Sequence, residues 1–236
     1  MQDWDESAYI KEDFLYNLNV FAKQAKKKNT PVYIYLQTMG FFSNLPITTY
    51  EEFAWQCYTS LSFGVRGIMC FQYWTQLQAQ QYNNVRGGIV DRDGTITPLY
   101  YKVQEVFDEI EAMQDVYLHY RWDGVRTYEG GRVINDMFTL VSDQLEKLEE
   151  IEAVECDEDI IVGQFKDDAG YAYMVTNASV PFEPKNANVK LTFGKEYDYA
   201  MVVKKGTRSL VELEDHVLSM TLGSGEGYFV VPVKQI

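Results

Sequence analysis

Two hydrophobic periods divide the chain. Between residues 7 and 28, Ile10, Phe14, Leu18, Phe21 and Ala25 recur every three to four positions, which places them on one face of an amphipathic helix. Pro31 then opens VYIYLQT, nearly free of polar breaks and rich in β-branched and aromatic side chains, as in a parallel strand covered on both sides. After a loop at 40–46, Thr49 and Glu52 have capping-box spacing and predict a helix to about Phe63, stopped by Gly64. GIMCFQYW at 67–74 repeats the buried-strand pattern. A Gln-rich loop at 76–88, the turn Asp91-Arg92-Asp93-Gly94 and Pro98 lead into a helix to about Gln114. The order helix, strand, helix, strand, helix demands parallel strands with right-handed crossovers.

From about Trp122 the period shortens to two. Strands are predicted at 160–165, 171–176, 189–193, 199–203, 217–222 and 227–233, the punctuation of an antiparallel sandwich. The acidic run at 144–158 reads as a solvated link in preference to a polar helix. Two regions follow: an α/β part over 1–120 and an all-β part over 121–236.

Charge narrows the choice of partner. Thirty-five acidic against 21 basic residues give a formal charge of −14, which speaks against nucleic acid and anionic membranes. The one basic run, Lys26, Lys27 and Lys28, falls where a helix should end, and there cations offset the helix dipole. Cys57, Cys70 and Cys156 form neither a CxxC motif nor a disulfide framework, and with only His119 and His216 available no metal site and no cofactor is expected. No segment has the apolar length of a membrane span or signal peptide, so the sequence as written reads as cytoplasmic; an upstream region, if one exists, would allow secretion.

Chemistry in a parallel α/β layer collects where strands end. Gln37, Thr38, Phe41 and Phe42 follow the first strand; Gln72, Tyr73 and Trp74 close the second, with Asp91 beyond a long loop. Aromatic rings beside amides suit a sugar, whose C–H face stacks on rings while its hydroxyls need donors and acceptors. Against that stands the ordinary role of aromatics as core, of Gln37 as an amide satisfied by nearby backbone, and of Asp91 as a turn residue.

The ordered segments PVYIYLQTMGFF, TTYEEFAWQCYTSLSFGVRGIMCFQYWT and GGIVDRDGTITPLYYKVQEVFDEI resemble the closing part of bacterial (β/α)8-barrel glycoside hydrolases of the β-galactosidase-like clan. IIVGQFKDDAGYAYMVTNAS and GSGEGYFVVPV are similar to the small β-sandwich that follows such barrels. The resemblance implies a partial (β/α)8 barrel, its last two strand-helix units, followed by that sandwich. It also implies carbohydrate as partner and substrate recognition by Gln37, Phe41, Tyr73, Trp74 and Asp91. Gln37 falls where many members of the clan carry a nucleophilic glutamate, and an amide is no nucleophile. The acid/base glutamate belongs to a strand outside this chain, so the usual carboxylate pair is lacking and the catalytic residues stay unassigned. A complete barrel takes roughly 250 residues. Two strands do not close one: either their open edges pair with another copy, giving a homo-oligomer, or the α/β part lies as an open layer against the sandwich. The competing reading is a non-catalytic carbohydrate-binding or accessory module, with the sandwich presenting Tyr171 or Tyr228, or a structural fragment without ligand.

Overall fold

The computed structural model describes residues 10–11, 13–40, 47–75, 87–130 and 137–234. The elements in chain order are helix α1 (Phe14–Lys28), strand β1 (Val32–Gln37), α2 (Tyr50–Ser62), β2 (Val65–Phe71) and α3 (Pro98–His119), then β3 (Arg121–Tyr128) and a 3-10 turn (Met137–Leu140). Eight further strands follow: β4 (Ile151–Cys156), β5 (Ile160–Lys166), β6 (Tyr171–Asn177), β7 (Ala187–Phe193), β8 (Tyr197–Lys204), β9 (Thr207–Glu212), β10 (Val217–Leu222) and β11 (Gly227–Lys234).

Strand outweighs helix, and the strands form three sheets among the described residues: an antiparallel six-stranded sheet in the order β3-β5-β6-β11-β8-β9, a three-stranded sheet β10-β7-β4, and the parallel pair β1-β2. The partial (β/α)8 barrel expected from the alternation and the resemblance is therefore corrected. β1 and β2 do pair in parallel, from Val32 with Val65 to Gln37 with Phe71, but they join no further barrel strand and nothing closes. The physical reason lies in what the helices cover. Phe53, Leu61, Val103, Val106 and Tyr117 of α2 and α3 pack into one core with Phe165, Ala172, Met174, Val203 and Phe229 of the six-stranded sheet. The helices thus form a layer on that sheet, and β1-β2 lies against α2.

The central strands of the six-stranded sheet are buried on both faces. Ile160, Val162, Tyr173, Val175 and Val230 point to Val189, Leu191, Phe193, Leu218 and Leu222 of the small sheet, while Phe165, Met174 and Phe229 point to the helices. Unbroken apolar runs in β5 and β6 follow from this double covering. Close approach of α2 depends on Gly163: a Cβ there would stand 2.1 Å from the carbonyl oxygen of Ser62 at the end of α2. Ser62 also hydrogen-bonds the Thr176 hydroxyl at 2.9 Å, fixing the helix end on β6. A third core gathers Leu15, Leu18 and Ala22 of α1 with Trp55, Phe63, Val125 and Ile161.

Local signals set the helix ends. Thr49 accepts from the Glu52 amide and Glu52 accepts from the Thr49 amide, a complete capping box. Asn29 takes the left-handed conformation at φ 51° and closes α1 with its amide on Ala25 and Lys26 carbonyls. Part of the acidic run turns out to be β4, paired with β7. Among the described residues no helix is long and apolar enough to cross a membrane.

Candidate functional site

The register of β1 and β2 decides which side chains share a face. Residues opposite one another in a parallel pair point the same way, so Tyr33, Tyr35 and Gln37 stand beside Gly67, Met69 and Phe71 on the side away from Ile34 and Leu36. Tyr33 and Tyr35 are 63% and 64% exposed, and Phe71 is 40% exposed. The Tyr33 ring lies over Gly67, where a Cβ would come within 2.3 Å of it. Tyr73 and Trp74, 55% and 49% exposed, follow just past the end of β2. Five large rings therefore meet solvent along one short stretch of structure, an uncommon concentration for residues of this size.

Polar groups frame the rings. The Gln56 side chain of α2 takes both backbone groups of Gln37, accepting from its amide and donating to its carbonyl, each at 3.1 Å. Thr38, fully buried, donates its hydroxyl to the Gln72 carbonyl at 2.9 Å and its amide to the Phe71 carbonyl at 2.9 Å. Beyond Trp74 the chain pairs with Val90: Val90 donates to the Tyr73 carbonyl and Thr75 donates to the Val90 carbonyl, both at 2.9 Å. That pairing carries Asp91, next in sequence, to the neighbourhood of Trp74. Asp91 is exposed at the head of the turn closed by Gly94, and its carboxylate accepts from the Arg92 amide at 2.7 Å. Gln37, Tyr73, Trp74 and Asp91 are thus gathered at one end of β1-β2, and Phe41 lies outside the described residues.

The residues of the sandwich alternative are placed differently. Tyr228 is buried and donates its hydroxyl to Glu226 at 3.0 Å and to the Thr221 carbonyl at 2.9 Å, so its ring offers no face to a glycan; Tyr171 is half-buried. Asn177, start of a glycosylation triplet, is fully buried and donates to the Lys185, Leu222 and Gly223 carbonyls.

A second polar assembly escaped sequence reading because its members lie far apart in the chain. Glu109 of α3 accepts from Tyr50 at 2.9 Å and Tyr58 at 2.7 Å, both on α2. Glu226 accepts from Tyr228, from the Gly223 amide at 2.8 Å and from Lys205 at 2.5 Å, and the Lys205 ammonium stands 5.3 Å from the centre of the Tyr50 ring. Burial raises the Glu109 carboxyl above the usual range, and hydrogen bonds from Tyr58 and Tyr50 only partly offset it. For Lys205, burial works to lower its pKa, and the Glu226 carboxylate reverses this, leaving it raised and charged. The assembly stitches α2, α3, the β8-β9 turn and β11 together. Its one sequence signal is the spacing of Tyr50 and Tyr58, two helical turns apart on one face of α2.

Nucleophiles and metal ligands are sparse. Burial pushes the Cys70 and Cys156 thiols up to about 11 and the Cys57 thiol upward as well, the opposite of activation. His119 contacts Asp167 at 3.0 Å and His216 contacts the Tyr197 carbonyl at 2.9 Å, neither forming a triad. Among the described residues no group of three or more His, Cys, Asp or Glu side chains is placed to hold a metal ion. Compared with models of known families, with curated proteins and with solved structures, the chain matches none.

Proposed function

We propose that the chain recognises carbohydrate on the aromatic strip of Tyr33, Tyr35, Phe71, Tyr73 and Trp74, and carries no complete catalytic carboxylate pair of its own. The observation behind this reading is the exposure of all five rings beside the amides Gln37 and Gln72. Rings present apolar faces to sugar C–H groups at small conformational cost, and amides supply donor and acceptor together. The strand ends contribute amides where a glycosidase needs two carboxyl groups across the scissile bond, so binding is the activity the residues support. The resemblance to the closing part of a glycoside hydrolase suggests the same class of ligand.

Affinity electrophoresis against soluble β- and α-glucans, galactans, xylans and mannans tests this directly. Retardation by at least one glycan, abolished in Trp74→Ala, is the expected result. If no glycan retards the chain, or retardation persists in Trp74→Ala and Tyr35→Ala alike, the reading is wrong. Hydrolysis of aryl glycosides by the chain alone would refute the absence of a catalytic pair.

A second reading, self-association through the same surface, rests on the exposure of Tyr33 and Tyr35 on one face of the parallel pair, since parallel sheets are almost always covered on both. The five rings at 40–64% exposure offer roughly 500 Å². A stable interface needs about 800 Å² per partner. The area favours a ligand over a permanent dimer, and sedimentation equilibrium over a concentration series separates the two.

A further inference from the structure

Where β1 and β2 begin, a cavity of about 400 Å³ opens between the end of α1, the start of β2 and the β3-β5 edge. Its size falls within the range that holds small ligands. Phe63 and Trp122 give it an apolar wall, and Lys26, Arg66, Arg121 and Lys166 bring four cations to it in a chain of net charge −14.

The charges are arranged rather than scattered. Lys26 and Lys166 approach one carboxylate oxygen of Asp123, at 2.9 and 2.8 Å, so their ammonium groups are held close together. Arg66 donates to the Tyr120 carbonyl at 2.7 Å and the Leu118 carbonyl at 2.6 Å at the end of α3. Arg121 is opposite Lys166 in the β3-β5 register and exposed, and no hydrogen bond or ion pair holds its side chain among the described residues. Against four positive charges stand Asp123 and the C-terminal ends of α1 and α3, each helix end worth about half a negative charge. The remainder is about two positive charges within a Debye length of roughly 8 Å, over which the distant acidic surface is screened. Consistent with this, burial alone would raise the Asp123 carboxyl, yet hydrogen bonds from Lys166, Lys26 and Gln164 hold it at about 2.

We infer that this cavity binds a small molecule bearing a phosphate or carboxylate group on an apolar or aromatic body, with Arg121, Lys166 and Lys26 on the anion and Trp122 beside the body. The cavity shares no lining residue with the proposed carbohydrate strip, and the inference stands or falls without it. Lysine ammonium groups carry three donors each, so both lysines keep donors for an anion while bonded to Asp123.

The test is titration of the full chain with inorganic phosphate and with phenyl phosphate at constant ionic strength, followed by amide and indole proton-nitrogen NMR spectra. Saturable shifts at the Trp122 indole and at Gly64 and Arg121 are expected, with phenyl phosphate the tighter of the two. Arg121→Ala should weaken phenyl phosphate about tenfold, the loss of one charge-assisted hydrogen bond. Asp123→Asn, which releases two lysines from their carboxylate, should strengthen it several-fold. That gain is one a purely structural basic cluster would not give. Absence of saturable shifts with either probe up to tens of millimolar overturns the inference. So does binding that Arg121→Ala and Asp123→Asn leave unchanged, which would put the anion elsewhere.

Discussion

Asp123 joins three elements: it lies on β3, receives Lys26 from the end of α1, and receives Lys166 and the Gln164 side chain from β5, the last at 2.9 Å. Replacing it by asparagine removes the charge with almost no change in shape. A folded-state pKa of about 2 against an ordinary 3.8 corresponds to about 2.4 kcal/mol at neutral pH. The lysine side chains are 47% and 49% exposed, so solvent screening reduces the expected loss to about 1–2 kcal/mol. The amide adds a pH-independent cost, because its NH2 would face the Gln164 NH2 while the Gln164 oxygen is committed to the Glu149 amide. The sign follows from the depressed pKa: the ionic stabilisation is complete above pH 3.8 and disappears as pH falls through 2. At pH 3 about half of it should remain. Urea unfolding of both proteins at pH 7, 5, 4 and 3 reads the gap between them. A gap that is independent of pH over this range would show that the lysines contribute nothing through charge, and the ionic account of the α1-β3-β5 junction would fail.

Other perturbations probe the remaining junctions. Gly163→Ala places a methyl group 2.1 Å from the Ser62 carbonyl, so α2 must move off the sheet; urea unfolding should show a loss of about 3 kcal/mol, and a loss under about 1 would contradict the close approach. Gly94→Ala serves as its contrast, since nothing lies within 4 Å of the new methyl and only the φ of +89° opposes it, at about 1 kcal/mol. Glu109 titrates in the opposite sense to Asp123: with its folded pKa raised, its contribution is fully present below pH 4.5 and is lost as pH rises through the folded value. Wild type should therefore lose stability relative to Glu109→Gln between pH 4 and 7 in paired urea titrations, and a gap moving the other way would refute the burial argument. Trp74→Ala, at a half-exposed ring, should cost glycan retention while shifting stability by less than about 1 kcal/mol; calorimetry beside affinity electrophoresis separates the two effects.

What could be read in the sequence follows from how local each signal is. The Thr49-Glu52 box acts through hydrogen bonds within a few residues, and the start of α2 follows from it. β4 was hidden because a bulge between Ile151 and Ala153 breaks its alternation: Ile151, Val154 and Cys156 face the core at spacings of three and two, which fits neither period. β3 was masked by Asp123, Arg121 and Arg126, charges that a sheet-edge strand tolerates because solvent and α1 meet it on the outer side.

The barrel expectation failed for a different reason. Alternation of helix and strand specifies parallel pairing and helices on one face, and both are present in β1, α2 and β2. It does not specify what the other face of a helix touches. α2 carries apolar or small residues nearly all round, from Phe53 through Ser62 buried except at Gln56, the signature of a helix enclosed between two layers. One layer is β1-β2; the other is the six-stranded sheet, drawn close by Gly163 and by Thr176 on Ser62. Gly163 and Ser62 are a hundred residues apart, so their contact left no trace in any window of sequence. The same geometry leaves Tyr33 and Tyr35 facing outward: once α2 takes the inner face of β1-β2 and the sandwich takes α2, these rings on the outer face stand exposed. The exposure of Tyr33 and Tyr35 is thus a consequence of the layer order itself, which is why their substitution should report on ligand binding rather than on folding.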